Sequence, residues 1–492
     1  MRRTILFALV LAVTPLCFAQ PQGVGEVAFA NSGKPEAQAA FLRGLAQLHN
    51  FEYPSAAEMF RKAQQLDPSF AMAYWGEAMT YTHPVWFQQD ADAARAALQR
   101  LGATPAERLA KAPTEREKDY LRTLDVLYGE GEKNARDDRY AEAMAALHAK
   151  YPDDVDATAF YALSLLGTAH EGRDFATYMR AAALLEEVFP THLHHPGVLH
   201  YLIHSYDDPV HAPLGMRAAR LYGAVAPDAA HALHMTSHIF IAMGMWEDVI
   251  DANRRAIAVV NQERAARSKP AADCGHYPTW LHYALLQKGQ VDEARKALGA
   301  CRASAFAKFE SAGPMDSQRS RLDAYAEMRA AQVASGAALS SADAVTIADS
   351  IDAPGARFTI AYADALAAAQ RRDADALNAA TARLHELSKN VIAAAEKEDS
   401  PSSRMRAQVM LQEIDALQLV VAGKRDEALK ILEAAAKTEK SMPLDFGPPV
   451  VPKPAAELLG DQLTAAGRAA DAQAAYRLVF ERAPGRAVPH VH

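Results

Sequence analysis

The chain has 492 residues, half of them hydrophobic, and 52 Lys and Arg against 60 Asp and Glu give a formal net charge of −8. That length is more than one core usually serves, so several domains or one long repeat array is expected. An acidic chain without basic blocks lacks the electrostatic footprint of a nucleic-acid binder or of an anionic-membrane binder, and abundant Ala with few stretches rich in Val, Ile and Thr suits packed helices better than sheet.

Residues 1–19 read as a secretory signal peptide. Arg2 and Arg3 form a positive start, residues 4–18 an apolar stretch, and Ala19 a small residue before Gln20. Leu16 before Cys17 is too large for a lipidation signal. No later uncharged apolar run reaches the length of a membrane helix, so the expectation is an exported chain, periplasmic or secreted, with no membrane span. Residues 20–35 carry Gly, Pro and Ser without a periodic face and read as a flexible lead-in.

A repeat follows. After Gly44 come Ala56, Phe60, Ala63 and Pro68, at 12, 16, 19 and 24 residues. The same order recurs as Gly460, Ala472, Tyr476, Val479 and Pro484, with Gly467 in the turn. Weaker copies centre on Gly423 with Ala428, Leu432 and Ala435, on Gly289 with Ala294, Leu298 and Cys301, and on Gly244 with Val249 and Ala256. Small residues let two antiparallel helices touch, an aromatic fills the groove beside them, and Pro stops the second helix. The pattern resembles the tetratricopeptide repeat and predicts an all-α solenoid of helical hairpins. Hairpins are expected over 36–310, a break at 311–316, and further repeats over 311–492. The Pro-rich loop 442–454 is expected to cover the end of the stack, with reach into the concave face as the alternative.

The first hairpin has unusual residues. His49, Glu52 and Tyr53 occupy its turn, and Trp75, Glu77, His83 and Trp86 follow. His49, His83, Trp75 and Trp86 could line a pocket or form the aromatic packing of an N-terminal cap.

Of 18 histidines, 11 lie between His192 and His282. His200 and His204 are four residues apart, and His231, His234 and His238 stand at offsets of zero, three and seven, which places each set on one helical face. Helix-borne pairs on neighbouring helices are how a helical scaffold assembles a transition-metal site. The expected ligands are His200, His204, His234 and His238, with His231 or Asp208 completing the set. Glu77 and Glu52 are the candidate proton acceptors. Imidazole with nearby methionine admits copper, and imidazole with carboxylate suits zinc, so the expected cofactor is zinc or copper. Structural packing of these histidines is the competing reading. No Gly-x-Ser-x-Gly elbow or phosphate-binding glycine loop is present.

The strings His-Asn-Phe-Glu-Tyr at 49–53, Ala-Met-Ala-Tyr-Trp-Gly-Glu-Ala-Met at 71–79, His-Tyr-Leu-Ile-His at 200–204, Ala-Leu-His-Met-Thr-Ser-His-Ile-Phe at 232–240 and Phe-Gly-Pro-Pro at 446–449 resemble a group of exported bacterial tetratricopeptide proteins. The resemblance implies the fold and no particular activity. Cys274 and Cys301 fall at adjacent ends of one hairpin and are a candidate disulfide. Two functions follow: metal binding or metal-dependent catalysis at the histidines, or a metal-free scaffold that holds a protein or peptide partner on its concave face.

Overall fold

The computed structural model describes residues 22–307, 317–339, 345–348, 350–397 and 400–487. The signal peptide expected at 1–19 and the break expected at 311–316 lie outside the described residues. Among those described, 22 α-helices follow one another, and a single β-hairpin pairs Thr82 with Gln89 and His83 with Gln88. Each helix packs mainly on its neighbours in sequence, which makes the protein a tetratricopeptide-like solenoid.

The repeat residues act as their sizes require. A β-carbon at Gly44 would lie 3.1 Å from the Phe60 ring, and one at Gly76 only 2.3 Å from it. Phe60 therefore wedges between the Pro35–His49 and Ala71–Met79 helices, where only hydrogen leaves room. Gly460 has the same relation to Tyr476, at 2.4 Å. Gly467 has a φ of +74°, the left-handed conformation that closes the turn of this last hairpin.

The lead-in expected to be flexible is a packed strap. Val24, Val27 and Phe29 are buried, the Glu26 N–H donates to the His194 carbonyl at 2.9 Å, and the Asp228 N–H donates to the Gly23 carbonyl at 2.8 Å. Its apolar residues find a core, and its backbone finds partners on distant hairpins, so it needs no helix of its own.

The expected division near residue 310 does not divide the core. One apolar cluster runs from Val24 to Ala294 and another from Ala330 to Val479, but a third joins Cys274, Leu298 and Cys301 to Tyr325 and Ile360. Cys274 and Cys301 form a disulfide within it.

The chain also curves back on itself. Arg486 pairs with Glu457 and donates to the Tyr283 hydroxyl at 2.9 Å, and the Ala487 N–H donates to Gln287 at 2.8 Å. The Pro-rich loop takes part in this closure. Phe446 lies 5.1 Å from the His238 ring, and a β-carbon at Gly447 would meet Trp280 at 2.4 Å. The loop thus reaches into the concave face, instead of covering the end of the stack.

Candidate metal centre

Three successive inner helices carry the histidines. Pro196–Tyr206 bears His200 and His204, Ala230–Ala242 bears His231, His234 and His238, and His276–Gln287 begins with His276. They assemble two triads, His200 with His204 and His231, and His234 with His238 and His276. Within each triad the three ligand atoms lie within 4.8 Å of one another.

In the first triad the Nε2 atoms of His200, His204 and His231 are buried and have no hydrogen-bond partner among the described residues. A buried polar atom left unpaired costs about 1–3 kcal/mol, and three in one place is a concentrated cost. His200 Nδ1 bonds the His49 carbonyl at 2.6 Å. A carbonyl only accepts, so His200 carries its proton on Nδ1 and keeps a lone pair on Nε2.

The second triad states the problem more sharply. His238 Nδ1 lies 2.5 Å from the Asp207 carboxylate, which only accepts. His234 Nδ1 lies 2.8 Å from Asn253 Oδ1, while the Asn253 amide nitrogen donates to the Val249 carbonyl at 2.9 Å and so fixes which end of that amide faces His234. Both imidazoles therefore carry their proton on Nδ1 and aim lone pairs at each other, with Nε2 atoms 3.0 Å apart. Two acceptors in contact repel unless a proton or a metal ion sits between them. Two nitrogens on one ion, each at about 2.0–2.1 Å in tetrahedral geometry, stand roughly 3.3 Å apart. The observed spacing fits a shared ion.

Burial, reinforced by neighbouring imidazoles, holds His200, His204, His231 and His234 well below the ordinary histidine pKa. At neutral pH they are uncharged and available as ligands. Their surroundings are aromatic. Phe51 touches His200 with ring centroids 4.3 Å apart, Trp280 lies 4.4 Å from His238, and Trp86 lies 5.7 Å from His231. His276 alone of the six is exposed, so the second triad has an edge on solvent.

Not every residue singled out in the sequence belongs here. Asp208 is turned away: its carboxylate accepts from the Val210 and His211 backbone and pairs with His211 and Arg173. Its neighbour Asp207 holds His238 instead, because the helix ends at Tyr206 and the backbone has already turned. Glu77 is buried against Arg61, Arg100 and Gln64 and meets no histidine of the triads. Glu52 is near the site, but its carboxylate accepts from the His231 N–H at 3.0 Å and caps that helix. Burial pushes its pKa up to about 7.

The four residues read as either pocket lining or the aromatic packing of a cap are divided among three places. Trp75 is core, packed on Phe29, Tyr120 and Phe160. The His49 side chain is bound to Asp156 at 2.9 Å and Tyr201 at 3.0 Å, and His195 shares that carboxylate at 3.3 Å. His83 stacks on Tyr53 at 4.0 Å, and Trp86 stands beside both and His231.

Sequence reasoning missed His276, Asn253 and the role of Asp207. A signal for the first was present. His200 and His234, and likewise His204 and His238, are each 34 residues apart, one tetratricopeptide period. His231 lies in the first turn of its helix, and His276 holds the corresponding place one repeat later. A longer second helix, Trp246–Ala266, and the loop after it delay His276 beyond the regular spacing.

No protein-family model matches this chain, and no curated protein matches it. Among solved structures it is similar to yeast Tom70, at 11% identity over 90% of this chain and 89% of that one, with a TM-score of 0.36. It is also similar to aspartyl phosphate phosphatase F from Bacillus subtilis, at 10% identity over 93% and 96% of the two chains, with a TM-score of 0.28. A chain of the Naa15/Naa10 assembly bound to HypK-THB is 13% identical over 90% of this chain and 63% of that one, with a TM-score of 0.25. Scores this low carry no argument about activity. No described helix is long and apolar enough to cross a membrane.

Proposed function

We propose that this protein is an exported helical-repeat protein that holds zinc or copper at its buried histidines, for metal binding or metal-dependent catalysis. The observation that carries the reading is the pair of Nε2 lone pairs of His234 and His238, 3.0 Å apart with both Nδ1 atoms already committed as donors. Three of the six ligands, His200, His234 and His238, are oriented from behind by a carbonyl, an amide and a carboxylate, as metal-bound imidazoles are. Export is supported by the N-terminal charge and hydropathy pattern and by the Cys274–Cys301 disulfide, which suits an oxidising compartment. The alternative, a metal-free scaffold for a protein or peptide partner, has against it that the chain's own loop occupies the concave face at His238 and Trp280.

The test is elemental analysis of the purified chain beside a His200→Ala/His234→Ala variant with unchanged circular dichroism. Metal near stoichiometric in the first and strongly reduced in the second is expected. Absence of metal from the parent chain, even after reconstitution with zinc and with copper, would return the cluster to packing.

A further inference from the structure

The two triads are copies of one motif. Each takes two histidines one turn apart on an inner helix and a third from the first turn of the next inner helix, and the copies are offset by one repeat. Neighbouring packed helices stand about 8–10 Å apart, so two such sites could have been isolated from each other. They are not. The rings of His204 and His238, one from each triad, have centroids 6.0 Å apart, and those of His231 and His234 are 6.1 Å apart. Both distances are shorter than the 6.5 Å between His204 and His231 inside the first triad. Two ions held by these triads would therefore be neighbours, placed for joint action on one small molecule.

The ligand chemistry narrows the ion. Each triad consists of imidazoles alone, without carboxylate or thiolate among the described residues. Six neutral ligands and the one carboxylate behind them, Asp207 on His238, offset little of the ionic charge, and burial penalises net charge, so two singly charged ions are favoured over two divalent ones. Copper is the metal that imidazole binds well and that has a stable singly charged state. Hydrolysis is poorly served here, since Glu52 is held on the His231 N–H and Asp207 on His238 Nδ1, which leaves neither as a free base. Phe51, Trp280 and Phe446 pack apolar rings against His200 and His238, which suits a small neutral ligand.

We infer that the two triads hold a pair of copper ions that together bind dioxygen. This rests on the metal-binding reading above and adds nuclearity, metal and ligand to it. In the binding step each Cu(I) gives one electron and becomes Cu(II), and one O2 takes both electrons as a bridging peroxide. No proton moves, and the peroxide's two negative charges offset the rise in metal charge that the neutral ligands leave uncompensated.

The experiment loads the full chain with Cu(I) under anaerobic conditions and then admits air. Copper per chain, oxygen uptake and the electron paramagnetic resonance spectrum are read, beside a folded His276→Ala variant. About two copper ions per chain, one O2 consumed per two copper and a silent spectrum from paired Cu(II) are expected. The variant should keep about one ion, show the signal of isolated Cu(II) when oxidised, and take up no stoichiometric oxygen. Two ions that stay reduced in air, or that give the full signal of isolated Cu(II), overturn the inference. One ion in the parent chain overturns the pairing and leaves the metal-binding reading standing, whereas none overturns both.

Discussion

His200 donates from Nδ1 to the backbone carbonyl of His49, 2.6 Å away and 151 residues earlier in the chain. The bond sets the tautomer of the first ligand and ties the turn of the first hairpin to the helix of the histidine pair. His49 thus acts on the site through its main chain. Its side chain belongs to a separate buried network with Asp156, Tyr201 and His195.

Because those two roles are separate, replacing the side chain should separate stability from metal content. Burial pushes the Asp156 carboxyl up, but hydrogen bonds from His195 and His49 outweigh it and hold the group well below the usual carboxylate range. His49→Ala removes one of these partners and leaves a buried charge half-compensated. A loss of about 1.5–3 kcal/mol is expected, as for a hydrogen bond to a buried charged group. Urea unfolding measures the loss, and elemental analysis at low temperature should still find the parent metal content. A variant as stable as the parent would show that this network contributes nothing.

Asn253 and Asp207 orient His234 and His238 without contacting the shared space between the two Nε2 atoms. Removing such supports typically lowers metal affinity by about 10–100-fold with the ligands intact. Asn253→Ala and Asp207→Asn should each show a loss in that range in a chelator competition, with unchanged helicity. Unaltered affinity in both would remove the orientation argument.

Glu77 offers the opposite contrast. It is buried with Arg61, Arg100 and Gln64 as its partners, and none of the triad histidines is among them. Glu77→Gln should cost about 1–3 kcal/mol of stability through the weakened network and change neither metal stoichiometry nor affinity. Thermal unfolding and the same chelator competition read the two effects. Loss of metal from this variant in its folded state would place Glu77 back at the site.

The metal-free protein should be acid-labile. Burial lowers His49 and His282 to about 4, with the hydrogen bonds they donate to Asp156 and Gln332 opposing the shift. Unfolded histidines titrate near 6.5, so between about 6.5 and 4 the unfolded chain binds more protons than the folded one. Their contribution is intact above about 6.5 and is lost as the pH falls towards 4. Glu52, pushed up to about 7 by burial, works in the other sense and loses stability as the pH rises through that value. The four depressed histidines of the triads add to the acid-side effect. The urea midpoint of the metal-free chain should therefore fall between pH 7 and pH 5, and a midpoint that rises over that interval would contradict the balance.

The fold was legible because the repeat depends on local residue size. Gly44 must meet Phe60 and Gly460 must meet Tyr476 for the hairpins to close, and those spacings stand in the chain itself. Five of the six histidines were legible for a similar reason, since positions on a helix face follow from the 3.6-residue period. What could not be read came from long-range closure. His276 enters from a helix displaced by an irregular loop, and Phe446 arrives from a segment whose composition signals only that it is not helix. The turn after Tyr206, which exchanges Asp208 for Asp207, depends on where one helix ends, and ends are the least predictable part of a helix. The strap at 22–34 failed as a prediction because its apolar residues have no period and acquire partners only from hairpins far along the chain.

The disulfide supplies the last test, because Cys274 stands two residues before His276. Cys301 sits buried in the Val291–Ala305 helix, so the bond holds the start of the His276–Gln287 helix against its hairpin partner. Gly275 between them has a φ of +132°, a conformation that other residues adopt only with strain. Closing a loop across 27 residues should stabilise the fold by roughly 3 kcal/mol. It should also act unequally on the two triads, since only the second draws a ligand from this segment. A Cys274→Ser/Cys301→Ser variant is expected to unfold at lower denaturant and to release one metal ion more readily, with the other held as in the parent. Stepwise removal by a chelator, followed by elemental analysis at each step, measures the difference. Equal weakening of both sites would mean that the disulfide acts on the fold as a whole, and unchanged release of both would mean that His276 is held by its helix alone.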